Sequence, residues 1–260
     1  MTVLHAPAKL TWSLHVVGRR ADGLHLLDAE MVSLDLFDTI ELTETEDARL
    51  QFQVATEAPA GPRDVKVGDD DLVRRALREV GRRCHVRLTK RIPIGAGLGG
   101  GSSDAAAILR WAGAVDASTA VRLGADVPFC CVGGRAQVRG VGELVEPLEP
   151  IARTVTLALL PFGVDTAAAY RAYDELGGPE RHHPRNDLTI AAELVAPPLR
   201  ELRELLEERC GVPLTLAGSG STMFAEGDPL GLATAPSEVV ETRHGPVRLV
   251  LSRTQGPHAR

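Results

Sequence analysis

The chain reads Pro93-Ile94-Gly95-Ala96-Gly97-Leu98-Gly99-Gly100-Gly101-Ser102-Ser103-Asp104, followed by Ala105-Ala106-Ala107. Glycines allow tight turns and let consecutive backbone N–H groups converge on an anion. Val86, Leu88 and Ile92 mark a strand feeding directly into this segment, and a helix is predicted over 103–112 with Gly113 as its stop. An anion held at the junction would meet the orphan N–H groups and positive dipole end of that helix. Ser102 and Ser103 can cap the helix, contact phosphate oxygens or ligate Mg²⁺, with Ser103 as the possible metal ligand. The chemistry on offer is phosphate binding.

Several phosphate-loop readings compete. Residues 95–100 match G-x-G-x-x-G formally, but the dinucleotide fingerprint belongs to the first turn of a parallel βαβ unit, and here several strands come before it. A phosphate loop of the G-x-x-x-x-G-K-[ST] type needs a lysine, and none follows Gly101. The protein-kinase catalytic motifs are absent. A purely structural glycine turn is the bland alternative, and so long a run of small residues argues against it.

The surrounding elements set what can reach this loop. Over 9–16, Leu10, Trp12, Leu14 and Val16 alternate with Lys9, Thr11, Ser13 and His15, a half-buried strand with Lys9 and Thr11 side by side on its polar face. Asp22-Gly23 punctuates a turn, and 31–36 and 39–42 read as two strands broken near Asp38. Residues 55–71 form a loop rich in Pro, Gly and charge, and Asp71 opens a helix through Val80. A short helix over 118–123 ends at Gly124, and a hairpin over 132–145 turns around Gly140-Val141-Gly142. Beyond Pro147 and Pro150 come a strand (155–160), a helix (166–176), a helix with Leu199, Leu202, Leu205 and Leu206 on one face, a strand (214–217) running into a second glycine-serine loop, and a last strand (247–251). Strands and helices mix without strict βα alternation, so the fold class is α+β, with domains expected over 1–150 and 151–260.

The 260 residues, 44% hydrophobic and 25% charged, suit a globular chain with a large core. A formal net charge of −6 and a pI of about 5.8 argue against nucleic-acid binding. No apolar run is long enough for a membrane span, and residues 1–7 lack signal-peptide character, so a cytoplasmic location and no membrane partner are expected. Cys84, Cys130, Cys131 and Cys210 lack zinc or redox spacing and read as reduced structural thiols; His182-His183 has no third metal ligand in view.

Five ordered segments together resemble the GHMP kinases, in the form of the 4-diphosphocytidyl-2-C-methyl-D-erythritol kinase family. They are Ala6-Pro7-Ala8-Lys9-Leu10, Arg20-Ala21-Asp22-Gly23-Leu24-His25, residues 93–107, Leu123-Gly124-Ala125-Asp126-Val127-Pro128-Phe129 and Ala217-Gly218-Ser219-Gly220-Ser221-Thr222. Phe162-Gly163-Val164-Asp165-Thr166 and Arg185-Asn186-Asp187-Leu188 are weaker matches. The resemblance runs over nearly the whole chain. It implies a two-domain GHMP kinase fold with the active site in the inter-domain cleft. The implied reaction is phosphorylation of the substrate 2-hydroxyl by ATP, with Mg²⁺, in non-mevalonate isoprenoid biosynthesis. It implies Asp126 as base and Lys9 as its cationic partner, and residues 93–103 as the ATP phosphate site. Thr11, His25, Thr166, Tyr170, Gly218, Ser219 and Gly220 are the implied substrate side, with His25 reading the cytosine edge and Tyr170 stacking on it. A monomer or homodimer is expected.

An aspartate is too weak a base to ionise an alcohol beforehand, so orientation outweighs basicity in the role of Asp126. Each assignment has a bland counterpart: Lys9 as a surface lysine, Asp126 as a turn cap, His25 as a turn residue, Tyr170 as helix core. The chain also departs from the family pattern. Thr11 stands for Asn, Leu24 for Tyr and Asp71 for Asn, and the segment between Gly113 and Val121 is shortened. Those departures keep two alternatives open: a GHMP kinase for another small alcohol, and a weakly catalytic nucleotide-binding homologue.

Overall fold

The computed structural model describes residues 1–47, 50–58, 68, 70–178, 184–235 and 237–258. Its spine is a long hairpin of β1 (Thr2–Arg19) and β2 (His25–Glu44) around the Asp22-Gly23 turn. Along its other edge β2 pairs in succession with β5 (Arg135–Gly140), β11 (Gly245–Gln255) and β4 (Cys84–Lys90). From β4 the sheet continues to parallel β3 (Phe52–Thr56), and from β5 to β6 (Leu144–Leu148). From β11 it continues to β10 (Ser237–Thr242) and to β7 (Thr154–Leu159), then β9 (Met223–Glu226) and β8 (Thr215–Leu216).

Two sequence expectations change here. Asp38 does not break β2: it is fully buried inside the strand, its carboxylate accepting from the Arg91 and Ile92 N–H groups and pairing with Lys90. The irregularity falls beside it, as a register shift between Pro7↔Phe37 and Lys9↔Ser33. The face of β1 that carries Lys9 and Thr11 is buried as well, because the glycine-rich segment lies on it.

Helices α1 (Leu72–Glu79), α2 (Gly100–Trp111), α3 (Ala117–Leu123) and α4 (Val127–Val132) belong with the first core, which joins Ile40, Leu88, Ile108 and Phe129. Helices α5 (Thr166–Glu175), α6 (Thr189–Val195) and α7 (Pro198–Cys210) follow β7. The apolar leucine face of α7 packs Leu199, Leu202 and Leu206 against β7, β9 and β11. A third cluster lies between these two, with Leu10 and Trp12 of β1 meeting Leu157 of β7 and Phe224 of β9. The sequence did not disclose α4, α6, β9 or β10. All four cysteines are buried and free. No helix among the described residues is long and apolar enough to cross a membrane.

Candidate active site

Gly95, Gly97 and Gly99 have φ of 71°, 78° and 66°, and the intervening Ala96 and Leu98 are buried in the third cluster. The loop is thus pinned by every second side chain while its glycines adopt a backbone that L side chains disfavour. A Cβ on Gly97 would lie 2.6 Å from the Gly220 carbonyl oxygen and 2.7 Å from that of Ala217. The two glycine loops touch through bare backbone, and the Thr222 N–H donates to the Ala96 carbonyl. Gly99 caps α2 in the left-handed region with no side-chain bond. That leaves the first-turn N–H groups of Gly100, Gly101 and Ser102 without partners inside the helix.

Gly99 lies on the stem of Lys9, where a Cβ would fall 2.6 Å from Lys9 Cγ. The Lys9 ammonium donates to Thr11 Oγ1 at 3.1 Å and lies 3.3 Å from Asp126 Oδ2. Asp126 occupies the N-cap position of α4, yet its carboxylate makes no capping bond. That helix end favours a negative charge, and the carboxylate stays one-third exposed toward the cleft. Lys9 and Asp126, paired in the sequence analysis, are therefore brought together across 117 positions of sequence, and α4, hidden in the apolar run after Asp126, was not read.

Two cavities meet at the loop. One, of about 550 Å³, is lined by Lys9, Thr11, Leu24, His25, Asp126, Thr166, Tyr170, Gly218 and Ser219 among others. The other, of about 340 Å³, is lined by residues 92–102 together with Val54, Asp71, Leu72, Leu88, Lys90 and Asp104. Gly97, Gly99 and Ser102 line both. A phosphoryl donor in the smaller cavity and an acceptor in the larger would face each other over that ridge.

At the far end of the larger cavity, Tyr170 stacks on His25 with ring centroids 4.6 Å apart, and His25 Nε2 lies 2.7 Å from Asp174 Oδ1. The Thr166 and Ser219 hydroxyls are hydrogen-bonded at 2.8 Å, joining the start of α5 to the second glycine loop. Gly220 packs against Leu216 and Val164 and does not line either cavity. Ser103 is buried and donates its hydroxyl to the Pro7 carbonyl at 2.6 Å. It ties α2 to β1, and Ser102 is the loop hydroxyl on the ridge.

The sequence reading assigned no role to three supporting groups, although Asn186 stood in one of the weaker matches. Asn186, buried, donates to the carbonyls of Leu216 and Gly218 at 2.7 Å each and so holds the second glycine loop. Lys90 is buried under Gly100, 2.7 Å from Asp104 Oδ2 and paired also with Asp38. Two carboxylates share one ammonium there; burial raises the Asp104 carboxyl to about 8 despite Lys90, and Asp38 adds to the rise. Asp174 is the third. Its place one helical turn beyond Tyr170 was the available signal.

Residues 71–134 match the family described as GHMP kinases N terminal domain. The chain is 36% identical to the 4-diphosphocytidyl-2-C-methyl-D-erythritol kinase of Paracoccus denitrificans, covering 84% of each chain. It is 32% identical to that of Alkaliphilus metalliredigens, covering 96% of each. The chain belongs to the 4-diphosphocytidyl-2-C-methyl-D-erythritol kinase family. A crystal structure of a 4-(cytidine 5'-diphospho)-2C-methyl-D-erythritol kinase superposes with a TM-score of 0.70 at 28% identity, covering 96% of this chain and 99% of the other. A homoserine kinase from Cytophaga hutchinsonii, at 15% identity and TM-score 0.59 over 99% and 96% of the two chains, shares the fold.

Of the departures noted from the resemblance, Thr11, Leu24 and Asp71 line the cavities and the shortened segment does not. Thr11 takes the Lys9 hydrogen bond. Leu24 is 51% exposed on the wall of the larger cavity, and Phe162 packs into the second core, away from it. Asp71 caps α1, accepting from the Val73 and Arg74 N–H groups, at the rim of the smaller cavity. The shortened segment is a brief link from Gly113 to the Asp116 cap of α3. His182-His183 lies outside the described residues.

Proposed function

We propose that this protein transfers the γ-phosphoryl group of ATP to the 2-hydroxyl of 4-diphosphocytidyl-2-C-methyl-D-erythritol, in the cytoplasm, between two domains over residues 1–150 and 151–260. The observation that carries the reading is the Lys9–Asp126 pair on the acceptor side of a glycine ridge shared by two cavities. Family membership supplies the substrate.

In this reading ATP places its phosphates along residues 93–102 and the α2 N-terminus, with its base toward Val54 and Leu72. The acceptor lies in the larger cavity, its hydroxyl at Asp126 and its base toward His25 and Tyr170. Phosphoryl transfer has a loose transition state, so positioning and charge compensation dominate. Lys9 holds the Asp126 carboxylate at 3.3 Å and offsets charge on the entering oxygen. Asp126 orients the hydroxyl and receives its proton as the P–O bond forms.

The donor set suits a cation that arrives on ATP. Among the described residues no group of three or more acidic, His or Cys side chains could hold a metal unaided. Ser102 offers the ridge hydroxyl, and Mg²⁺ there would neutralise charge on the phosphates. The direct test is ³¹P NMR of the product from ATP, Mg²⁺ and the cytidine substrate. A new phosphomonoester resonance beside an intact diphosphate is expected; a cleaved diphosphate or no new resonance would reject the assignment.

A further inference from the structure

The imidazole of His25 is held from three sides. Tyr170 covers one face at 4.6 Å, Tyr173 meets it edge-on at 6.1 Å, and Nε2 faces Asp174 Oδ1 at 2.7 Å. The second Asp174 oxygen lies 3.3 Å from the Arg19 guanidinium, whose Nε donates to the Gly23 carbonyl at 3.1 Å. One carboxylate on α5 thus pins both the ring and the turn that carries it. Among the described residues nothing hydrogen-bonds Nδ1 of His25.

A carboxylate accepts only, so the hydrogen of a neutral imidazole is held on Nε2 and Nδ1 keeps its lone pair. A lone pair can accept from an exocyclic amine and is repelled by a carbonyl oxygen. At the corresponding edge cytosine presents an amine and uracil a carbonyl. Resting on the acceptor reading above, we propose that Asp174 is a positioning residue that fixes the His25 tautomer and thereby makes the site select cytosine over uracil. The demand on His25 is sharpened by Leu24, which supplies an aliphatic wall and no second ring.

Asp174 itself touches no reacting atom, so its effect belongs in base selectivity and KM. The experiment measures CDP and UDP affinities by calorimetry at pH about 8, above the ordinary histidine range. It compares wild type, Asp174→Asn, His25→Ala and the double variant, with kcat measured on the cytidine substrate for each. An asparagine can either accept from or donate to Nε2, so it releases the tautomer while keeping the shape. Wild type is expected to favour CDP by about 10-fold, the scale of one hydrogen bond gained or lost. Asp174→Asn should bring the ratio close to one and raise KM for the cytidine substrate by a larger factor than it lowers kcat, and the double variant should lose nothing beyond His25→Ala alone. A CDP preference that survives in Asp174→Asn, or additive losses in the double variant, would overturn the role of Asp174 and leave the acceptor reading intact. A wild type that binds CDP no better than UDP would remove the acceptor reading, and this inference with it.

Discussion

Gly99 lies so close over Lys9 that a Cβ on the glycine would stand 2.6 Å from Lys9 Cγ. The glycine-rich loop and Lys9 are therefore packed against each other, and the loop holds the ammonium beside Asp126. Gly99→Ala must displace Lys9 or distort a backbone at φ 66°. It should lower kcat by roughly 10²-fold, the scale attached to small misplacements of reacting groups. Steady-state kinetics with a melting curve alongside checks this. A fall in stability with kcat retained would mean the contact is packing only.

The Lys9–Asp126 pair sets a second expectation. Lys9→Met removes the charge that offsets the entering oxygen, and kcat should fall by roughly 10²-fold or more. Thr11 and Gly218 surround the same ammonium, so the methionine stem still fills its place and the melting temperature should stay close to wild type. Circular dichroism melts and kcat measured on one preparation distinguish the two effects.

The buried Asp38–Lys90–Asp104 cluster predicts a pH effect on stability. Burial lifts the Asp104 carboxyl from 3.8 to about 8, so the folded state holds this proton more tightly than the unfolded chain does. The contribution is fully present below about pH 4 and is lost as pH rises through about 8. Asp104→Asn keeps the shape and removes the surplus charge. Its melting temperature should exceed wild type by a margin that widens from pH 4 to pH 8 and then levels off. A margin that shrinks with rising pH would show that Asp104 is anionic throughout and stabilised by Lys90.

Leu24 predicts a gain. It is half exposed on the wall of the larger cavity near Tyr170. A ring there would add a stacking face, a contact worth about 1–3 kcal/mol per base. Leu24→Tyr should lower KM for the cytidine substrate several-fold with kcat unchanged, measured by initial rates. An unchanged KM would place the base elsewhere.

Local chemistry made much of the site legible in the sequence. The strand around Lys9, the glycine run at the start of α2 and the turn at Asp22-Gly23 each state their backbone in nearby residues. The polar face of that strand is nevertheless buried, and α2 begins at Gly100, inside the run and ahead of the predicted start at 103. What escaped depends on distant partners. Asp38 reads as a strand breaker until Lys90 and the two N–H groups just past the end of β4 satisfy it. The run Val127-Pro128-Phe129-Cys130-Cys131-Val132 is apolar on all sides, so its period cannot separate helix from strand. Ser103 and Ser102 are indistinguishable by type. Only the turn of α2 sends one to the Pro7 carbonyl and the other to the ridge.

The central claim is that Asp126 orients the acceptor hydroxyl for transfer from ATP to the cytidine-linked methylerythritol. ADP release measured with ATP, Mg²⁺ and that substrate, wild type beside Asp126→Asn, tests it most directly. Robust wild-type turnover that falls by at least roughly 10²-fold in the variant is predicted. Comparable rates in both proteins, or a wild type that binds ATP and releases no ADP with this alcohol, would contradict the account.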